Sequence, residues 1–349
     1  RREGRQGVKN PERVGSPSFD AGQDREELTL RPRLLEEFVG QTRLKENLSI
    51  YITAARQRGE HLDHVFLAGP PGLGKTTLAA IVANELGAQF RATSAPALEK
   101  PGDLAAILTS IGERNIFFID EIHRLKPVVE EMLYSAMEDF EIDVVIGQGP
   151  GARTIKIPLP PFTLVGATTK TGLVSSPLYS RFGIPLRLDY YEPGDLEQIV
   201  KRSAGILGIT IGEEATALVA KCARGTPRIA NRILRRMRDF AQVWGTGAID
   251  AGIVRRGLES LEIDRLGLDK LDREILRTII QKYAGGPVGS ETLAISIGEA
   301  VDTLEDVYEP FLIQIGFLKR TPRGRMTTPQ AWAHLGLKWS GGEDQPVLL

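Results

Sequence analysis

Cysteine is almost missing from this chain: Cys222 is the only one in 349 residues. A single thiol excludes an internal disulfide framework and a cysteine-rich zinc site, and the four histidines are too scattered for metal-ligand spacing. A reducing compartment follows. An excess of positive charge is missing too. With 44 Lys+Arg against 45 Asp+Glu the formal net charge is -1, which excludes coating nucleic acid by bulk charge and leaves only local patches for any such contact. No apolar run approaches the roughly 18 residues that span a bilayer, and the opening residues lack a hydrophobic signal core. The sequence therefore reads as a soluble, cytoplasmic protein. Large apolar residues are scarce in residues 1–25, a stretch rich in Arg, Gly, Pro, Ser and acids, so a disordered arm is expected there.

What is present is enough for two or three compact cores, at 42% hydrophobic content. Over residues 26–203, short β-rich apolar runs (HVFLA, NIFFID, FTLVGA, IPLRLDY) alternate with helical segments. That alternation predicts an α/β domain built on a doubly wound parallel sheet. Residues 204–263 change character: ATALVAKCA and RIANRILRRMRDFAQVW carry helical spacing with no strand runs between them, which predicts a small helical domain. Residues 264–338 read as three helices followed by FLKRTPRGRMTT, two strand-like runs about a Pro/Gly turn, the pattern of a winged helix. Residues 339–349 are Gly-rich and polar, and are expected to be a loose tail.

The stretch GPPGLGKT, Gly69 to Thr76, follows the run HVFLA and precedes TTLAAIVANELGA, where Leu78, Ile81, Val82 and Leu86 keep helical spacing. Between strand and helix, such a loop cradles phosphates. Gly72 and Gly74 let backbone N–H groups approach, Lys75 reaches the terminal phosphates, and the Thr76 hydroxyl is placed to ligate Mg²⁺. About 45 residues on, Asp120 and Glu121 end a wholly apolar strand. Asp120 is expected at the Mg²⁺ and Glu121 at the attacking water, because hydrolysis gains from a second, basic carboxylate that binding does not need. A third strand ends in two threonines, of which Thr169 is the better placed for the γ-phosphate or the water. Arg181, after a short helix, and Arg228, in a first turn that Thr226 caps and Pro227 opens, are candidate cations for a phosphoryl-transfer transition state.

In this order, the phosphate loop, the DE strand, Thr169, Arg181 and Arg228 resemble the AAA+ ATPases over residues 30–260. Finer strings (LRPRLLEEFVGQ, FFIDEIHRL, EDFEIDVVIGQGPGART, SPLYSRFGI, GTPRIANR and FLKRTPRGR) are similar to the bacterial Holliday-junction branch-migration motors of that superfamily, from about Phe19 to Leu337. The resemblance implies that Leu30, Arg31 and Tyr191 line an adenine pocket for ATP or ADP, and that Gly72, Gly74, Lys75, Thr76 and Thr77 hold the phosphates. It makes Thr169 and Arg228 the two sensors and Arg181 a finger inserted into a neighbouring subunit's site. It adds Glu138, Asp139 and Phe140 as a further nucleotide contact. It also implies a homo-hexameric ring, duplex DNA at four-way junctions, a RuvA-type junction-binding partner, and a RuvC-type resolvase in a larger complex. Val301 stands where relatives tend to carry a DNA-contacting arginine.

Two surfaces remain. EIDVVIGQGPGARTIKI alternates about a Gly/Pro turn and predicts a β-hairpin. On residues alone it reads as an edge hairpin completing the sheet; the resemblance makes it the docking site for the RuvA-type partner, through exposed Ile142, Val144 and Ile155. Lys319, Arg320, Arg323 and Arg325 crowd one turn, which suits phosphate contacts of little base preference. Two rival functions stay open here: a clamp-loader-like switch and an operator-reading transcription factor. The acidic DTLEDVYEP helix argues against the second as a poor major-groove reader.

Overall fold

The structure, a computed structural model, describes residues 29–146 and 153–339. The expectations for the arm (1–25), the turn of the hairpin and the tail beyond Trp339 lie outside the described residues. The chain forms two compact units, Glu27–Asp195 and the portion from Leu196 onward.

In the first unit the apolar runs form five strands: β1 (Val65–Ala68), β2 (Phe90–Ser94), β3 (Ile116–Asp120), β6 (Thr163–Thr168) and β7 (Ile184–Arg187). All neighbours are parallel, in the order β2-β3-β6-β1-β7. β1 and β6 are buried at every position. Their unbroken apolar sequence follows from that, since helices cover both faces of a parallel sheet. The covering helices are α1 (Thr42–Arg58), α2 (Lys75–Leu86), α3 (Pro101–Leu108), α4 (Pro127–Glu138) and the short α5 (Ser176–Tyr179). Gly166 in β6 has a packing reason, because a Cβ there would meet Ile122 Cδ1 at 2.6 Å and the Phe182 ring at 2.9 Å.

A buried histidine ties three of these pieces together. His64, just before β1, accepts the Leu164 N–H on Nδ1 at 2.9 Å and sits 3.0 Å from the Met137 carbonyl through Nε2. Burial pushes its pKa down, so the neutral ring with its proton on Nε2 satisfies both bonds. The predicted hairpin forms as β4 (Glu141–Ile146) with β5 (Arg153–Pro158). It pairs only with itself, as a separate two-stranded sheet, and does not extend the five-stranded one.

The second unit begins with four helices, α6 (Pro193–Ile206, which starts just before the unit boundary), α7 (Glu213–Cys222), α8 (Pro227–Trp244) and α9 (Ala251–Ser260), with one isolated parallel bridge between Ile211 and Ile249. On α8, Ala230, Ile233, Leu234, Met237 and Ala241 are buried at helical spacing. Gly257 of α9 admits close contact, since a Cβ would meet Met237 Sδ at 2.6 Å. Next come α10 (Lys270–Tyr283), α11 (Ser290–Ile297) and α12 (Val301–Thr303), which runs through a π turn (Leu304–Tyr308) into α13 (Glu309–Gln314). The ribbon β8 (Leu318–Thr321) and β9 (Gly324–Thr327) and a last helix, α14 (Pro329–His334), complete a winged helix.

Both halves of this unit meet at Arg224, a buried arginine with φ of 54°. Its Nε donates to the Gly267 carbonyl at 2.8 Å, and its Nη2 lies 2.5 Å from Asp272 and 3.2 Å from Asp269. Those aspartates already form the capping box of α10: Asp269 accepts from Leu271 N and Asp272 N, and Asp272 accepts from Asp269 N. One guanidinium thus clamps the helical segment to the first helix of the winged helix. Only three residues separate it from Arg228.

Candidate functional site

The carboxyl ends of β1, β3 and β6 lie side by side, the edge where open α/β sheets bind ligands. A backbone bond from Gly69 N to Thr168 O, 3.2 Å, joins the start of the phosphate loop to the end of β6. Gly69, Gly72 and Gly74 take φ values of 147°, 81° and 98°, a curl that side chains resist. At Gly69 a Cβ would also meet the Leu188 carbonyl at 2.6 Å. Lys75 opens α2 and bends its ammonium into the loop, 2.7 Å from the Gly69 carbonyl and 2.9 Å from that of Pro70. Loop amides, a helix N-terminus and a buried ammonium make a cradle that fits a polyphosphate.

Asp120 ends β3 half-buried, and its Oδ1 accepts the Glu121 N–H at 2.9 Å. Glu121 holds φ at 51°, a left-handed conformation that costs a non-glycine residue of order 1 kcal/mol and is concentrated at functional sites. Its carboxylate faces Arg124 at 2.9 Å. Thr76 is half-buried in the first turn of α2. A hydroxyl and a carboxylate suit Mg²⁺, which takes few protein ligands beside phosphate oxygens and water. Among the described residues no cluster of three or more His, Cys, Asp or Glu offers another cation site.

At the end of β6, Thr168 is the buried threonine, bonded to His123 Nδ1 at 2.9 Å and accepting Lys170 N–H. Thr169 is left exposed one residue beyond. Leu30 and Tyr191 are buried and Arg31 is half-buried. Tyr191 donates to the Leu73 carbonyl at 3.2 Å, and a Cβ at Gly40 would lie 3.1 Å from its ring. Phe38 stands behind Gly74 in the same way, 3.3 Å from where a Cβ would be. Phe38 and Gly40 of FVGQ and His123 of DEIH join the site without a motif of their own to mark them. Thr77 is buried under the loop. Arg228 is exposed in the first turn of α8, where Thr226 accepts the Ile229 N–H and Pro227 occupies the first position, as expected.

Arg181 lies at the far side of this unit's α4, which presents Glu130, Tyr134 and Glu138 one turn apart. The guanidinium sits over the Tyr134 ring at 4.4 Å, pairs with Glu138 at 3.1 Å and donates to the Pro177 carbonyl at 2.6 Å. Tyr134 in turn donates to Glu130 at 2.6 Å, and Glu130 also takes the hydroxyl of Ser175, the cap of α5. Arg181 and Glu138 are therefore together, and Tyr134 was not foreseen. Phe140 turns inward instead, edge-on to His61 at 5.0 Å and Phe162 at 5.9 Å, while Asp139 is exposed.

Two surfaces depart from expectation. On the hairpin, Ile142 pairs with Ile157 and Val144 with Ile155, so all four share one face. Ile142 is nevertheless fully buried, Val144 packs against the core and Ile155 is 46% exposed. The ribbon is rooted in the core at its Ile142 end, so the expected exposure of Ile142 is corrected. On the wing, Arg320 and Arg325 are cross-strand partners. Both reach the buried Glu309, Arg320 at 2.6 Å and Arg325 at 2.8 Å, and Arg325 also pairs with Glu305. Only Lys319 and Arg323 of the four stand exposed without these acids. Val301 is half-buried against the winged-helix core.

Three family models match in sequence: the Holliday junction DNA helicase RuvB P-loop domain over residues 30–188, the RuvB AAA lid domain over 191–264, and the RuvB C-terminal winged helix domain over 265–336. A Treponema denticola protein named Holliday junction branch migration complex subunit RuvB is 65% identical over 324 residues, 93% of this chain and 94% of its own. The Rubrobacter xylanophilus protein of the same name is 60% identical, over 90% of this chain and 89% of its own. The Thermotoga maritima RuvB Holliday junction branch migration motor, a solved structure, superposes with a TM-score of 0.82 at 52% identity, over 89% of this chain and 99% of the other. With phosphate loop, acidic strand, helical segment and wing in the same order and matched nearly end to end, the chain belongs to the RuvB family.

Proposed function

We infer that the chain is the ATP-hydrolysing motor of Holliday-junction branch migration, acting in recombination and repair. The observation that carries this reading is Glu121, held in a left-handed conformation beside the Gly69–Thr168 junction, at the end of the strand that brings Asp120 to the phosphate loop. A passive nucleotide switch has no need of that second, strained carboxylate. In the proposed site Lys75 and the loop amides bind the phosphates, and Leu30, Arg31 and Tyr191 border the base. Thr76 and Asp120 would hold Mg²⁺, which neutralises charge on the phosphates. Glu121 orients the water and takes its proton. Thr169 and Arg228 read the phosphate from their own segments.

The finer reading is a hexameric ring in which Arg181 completes a neighbour's site. The division at about residues 203 and 263 makes a large ATPase domain, a lid and a winged helix. Exposed Ile155, with Val144 beside it, meets the RuvA-type partner, a RuvC-type resolvase joins a larger complex, and Lys319 and Arg323 touch duplex phosphates. The deciding experiment compares Lys75→Ala with Glu121→Gln in ATP binding, turnover and four-way-junction migration with a RuvA-type protein. The first variant should lose binding. The second should bind ATP but turn over roughly a hundredfold slower and fail to migrate junctions, and full activity in Glu121→Gln would refute the assignment.

A further inference from the structure

At the foot of the wing, away from the phosphate loop in sequence and function, a concavity of about 410 Å³ is lined by Asp264, Arg265, Arg273, Arg277, His334 and Leu335. We propose that it is a second DNA contact, which takes a backbone phosphate of duplex DNA separately from the wing tip. The proposal rests on the reading of the chain as a DNA motor.

The lining is dominated by positive charge. Asp264 is the one acid of the lining, and its carboxylate is already committed: Oδ1 accepts Leu266 N–H at 2.9 Å and Leu268 N–H at 3.0 Å, while Oδ2 lies 2.7 Å from His334 Nε2. It shapes the turn and leaves three guanidinium groups facing the concavity. Arg273 spends Nη1 on the Leu268 carbonyl at 2.9 Å. Arg265 and Arg277 are exposed and have no hydrogen-bond or ion-pair partner among the described residues. Arg273 and Arg277 are also one turn apart on α10, where like charges repel unless an anion lies between them. The planar donor fork of arginine matches a phosphate's oxygens.

Position and lining choose the occupant. His334 packs on Phe317 with ring centroids 5.0 Å apart, and Phe317 directly precedes β8, so the concavity lies at the opposite end of the ribbon from Arg323. Leu335 is its only apolar side chain. A protein segment would need aliphatic or aromatic anchors, whereas a phosphate backbone binds through charge and counterion release alone.

The test uses the full chain and a random-sequence duplex, with affinity measured across a range of NaCl concentrations. Arg265→Gln/Arg277→Gln should lower the slope of log affinity against log salt by about one unit, the loss of one phosphate contact. ATPase activity without DNA and tryptophan emission should stay unchanged, and the double lysine variant should keep most of the slope. Arg323→Ala serves as the companion: if it lowers the slope while the double glutamine variant does not, this proposal falls and the DNA reading stands. Absence of duplex binding by the unsubstituted protein would instead overturn that reading. Retained duplex binding with loss of a RuvA-type partner would assign the concavity to protein and refute the proposal.

Discussion

Arg224→Met withdraws the guanidinium from between two carboxylates that water does not reach. The side chains are 4% exposed for Arg224, 9% for Asp269 and 0% for Asp272. Methionine replaces most of the apolar stem, so the cost is chiefly that of stranding charge, about 3–5 kcal/mol for a buried pair broken on one side. With a urea m-value of about 2 kcal/mol/M, the midpoint should fall by about 2 M. All three tryptophans, Trp244, Trp332 and Trp339, belong to the unit that Arg224 braces, so their emission reports it selectively. Protonation sets the pH dependence. Burial pushes the Asp272 carboxyl up to about 7 against the pull of Arg224. A carboxyl raised in the folded state binds its proton more tightly there than when unfolded. Its favourable contribution is therefore present at low pH and is lost as pH rises from about 4 through about 7. Removing Arg224 takes away the group that offsets this loss, so the deficit of the variant should be smaller at pH 5 than at pH 8. A midpoint shift under about 0.5 M at pH 8, or a deficit that shrinks as pH rises, would refute the reasoning.

Tyr134→Ala should lower the kcat of ATP hydrolysis roughly 2- to 30-fold with little change in KM, the scale of losing one cation–π contact under Arg181, and Tyr134→Phe should retain most of the rate; equal losses in both variants would mean that the ring does not act by holding the Arg181 guanidinium. On the hairpin, Ile155→Asp should abolish capture by a RuvA-type partner without affecting thermal stability, whereas Ile142→Asp should lower the melting temperature of the first unit by burying a charge. Calorimetry beside a pull-down separates the two. On the wing, Arg325→Ala should destabilise the fold by about 3 kcal/mol because Glu309 loses a buried partner, while Arg323→Ala should leave urea midpoints unchanged and reduce only the salt slope of duplex binding.

The phosphate loop and acidic strand were legible because their chemistry is local: glycines, lysine and threonine act within one turn, and an apolar strand announces where its carboxylates emerge. Alternation predicted the hairpin, and the family resemblance named Ile142, Val144 and Ile155 on it. Neither could show how far along the ribbon the core extends, and hence that Ile142 is buried. Four cations in one turn read alike, yet cross-strand register sets Arg320 against Arg325 and brings both to Glu309, on a helix earlier in the chain. Arg224 gave no local signal at all, since its partners lie 45 and 48 positions away. The Asp269-x-x-Asp272 spacing was readable as a helix start, but nothing in it disclosed a cation between the acids.

Because β4 and β5 form a two-stranded sheet of their own, rooted in the core by Ile142 with Val144 and Ile157 packed against it, the five-stranded sheet is complete without them. Selection on the two is then nearly decoupled. With the ribbon as the partner surface proposed above, substitutions along its outer half would track a changing partner while the phosphate chemistry stays untouched, and the motor's rate would be tuned without renegotiating its recruitment. The same separation makes the ribbon a natural point for exchange between homologues: a graft of the segment outside the 142–157 pair should transfer partner choice as a single heritable trait, leaving the ancestral engine behind it intact.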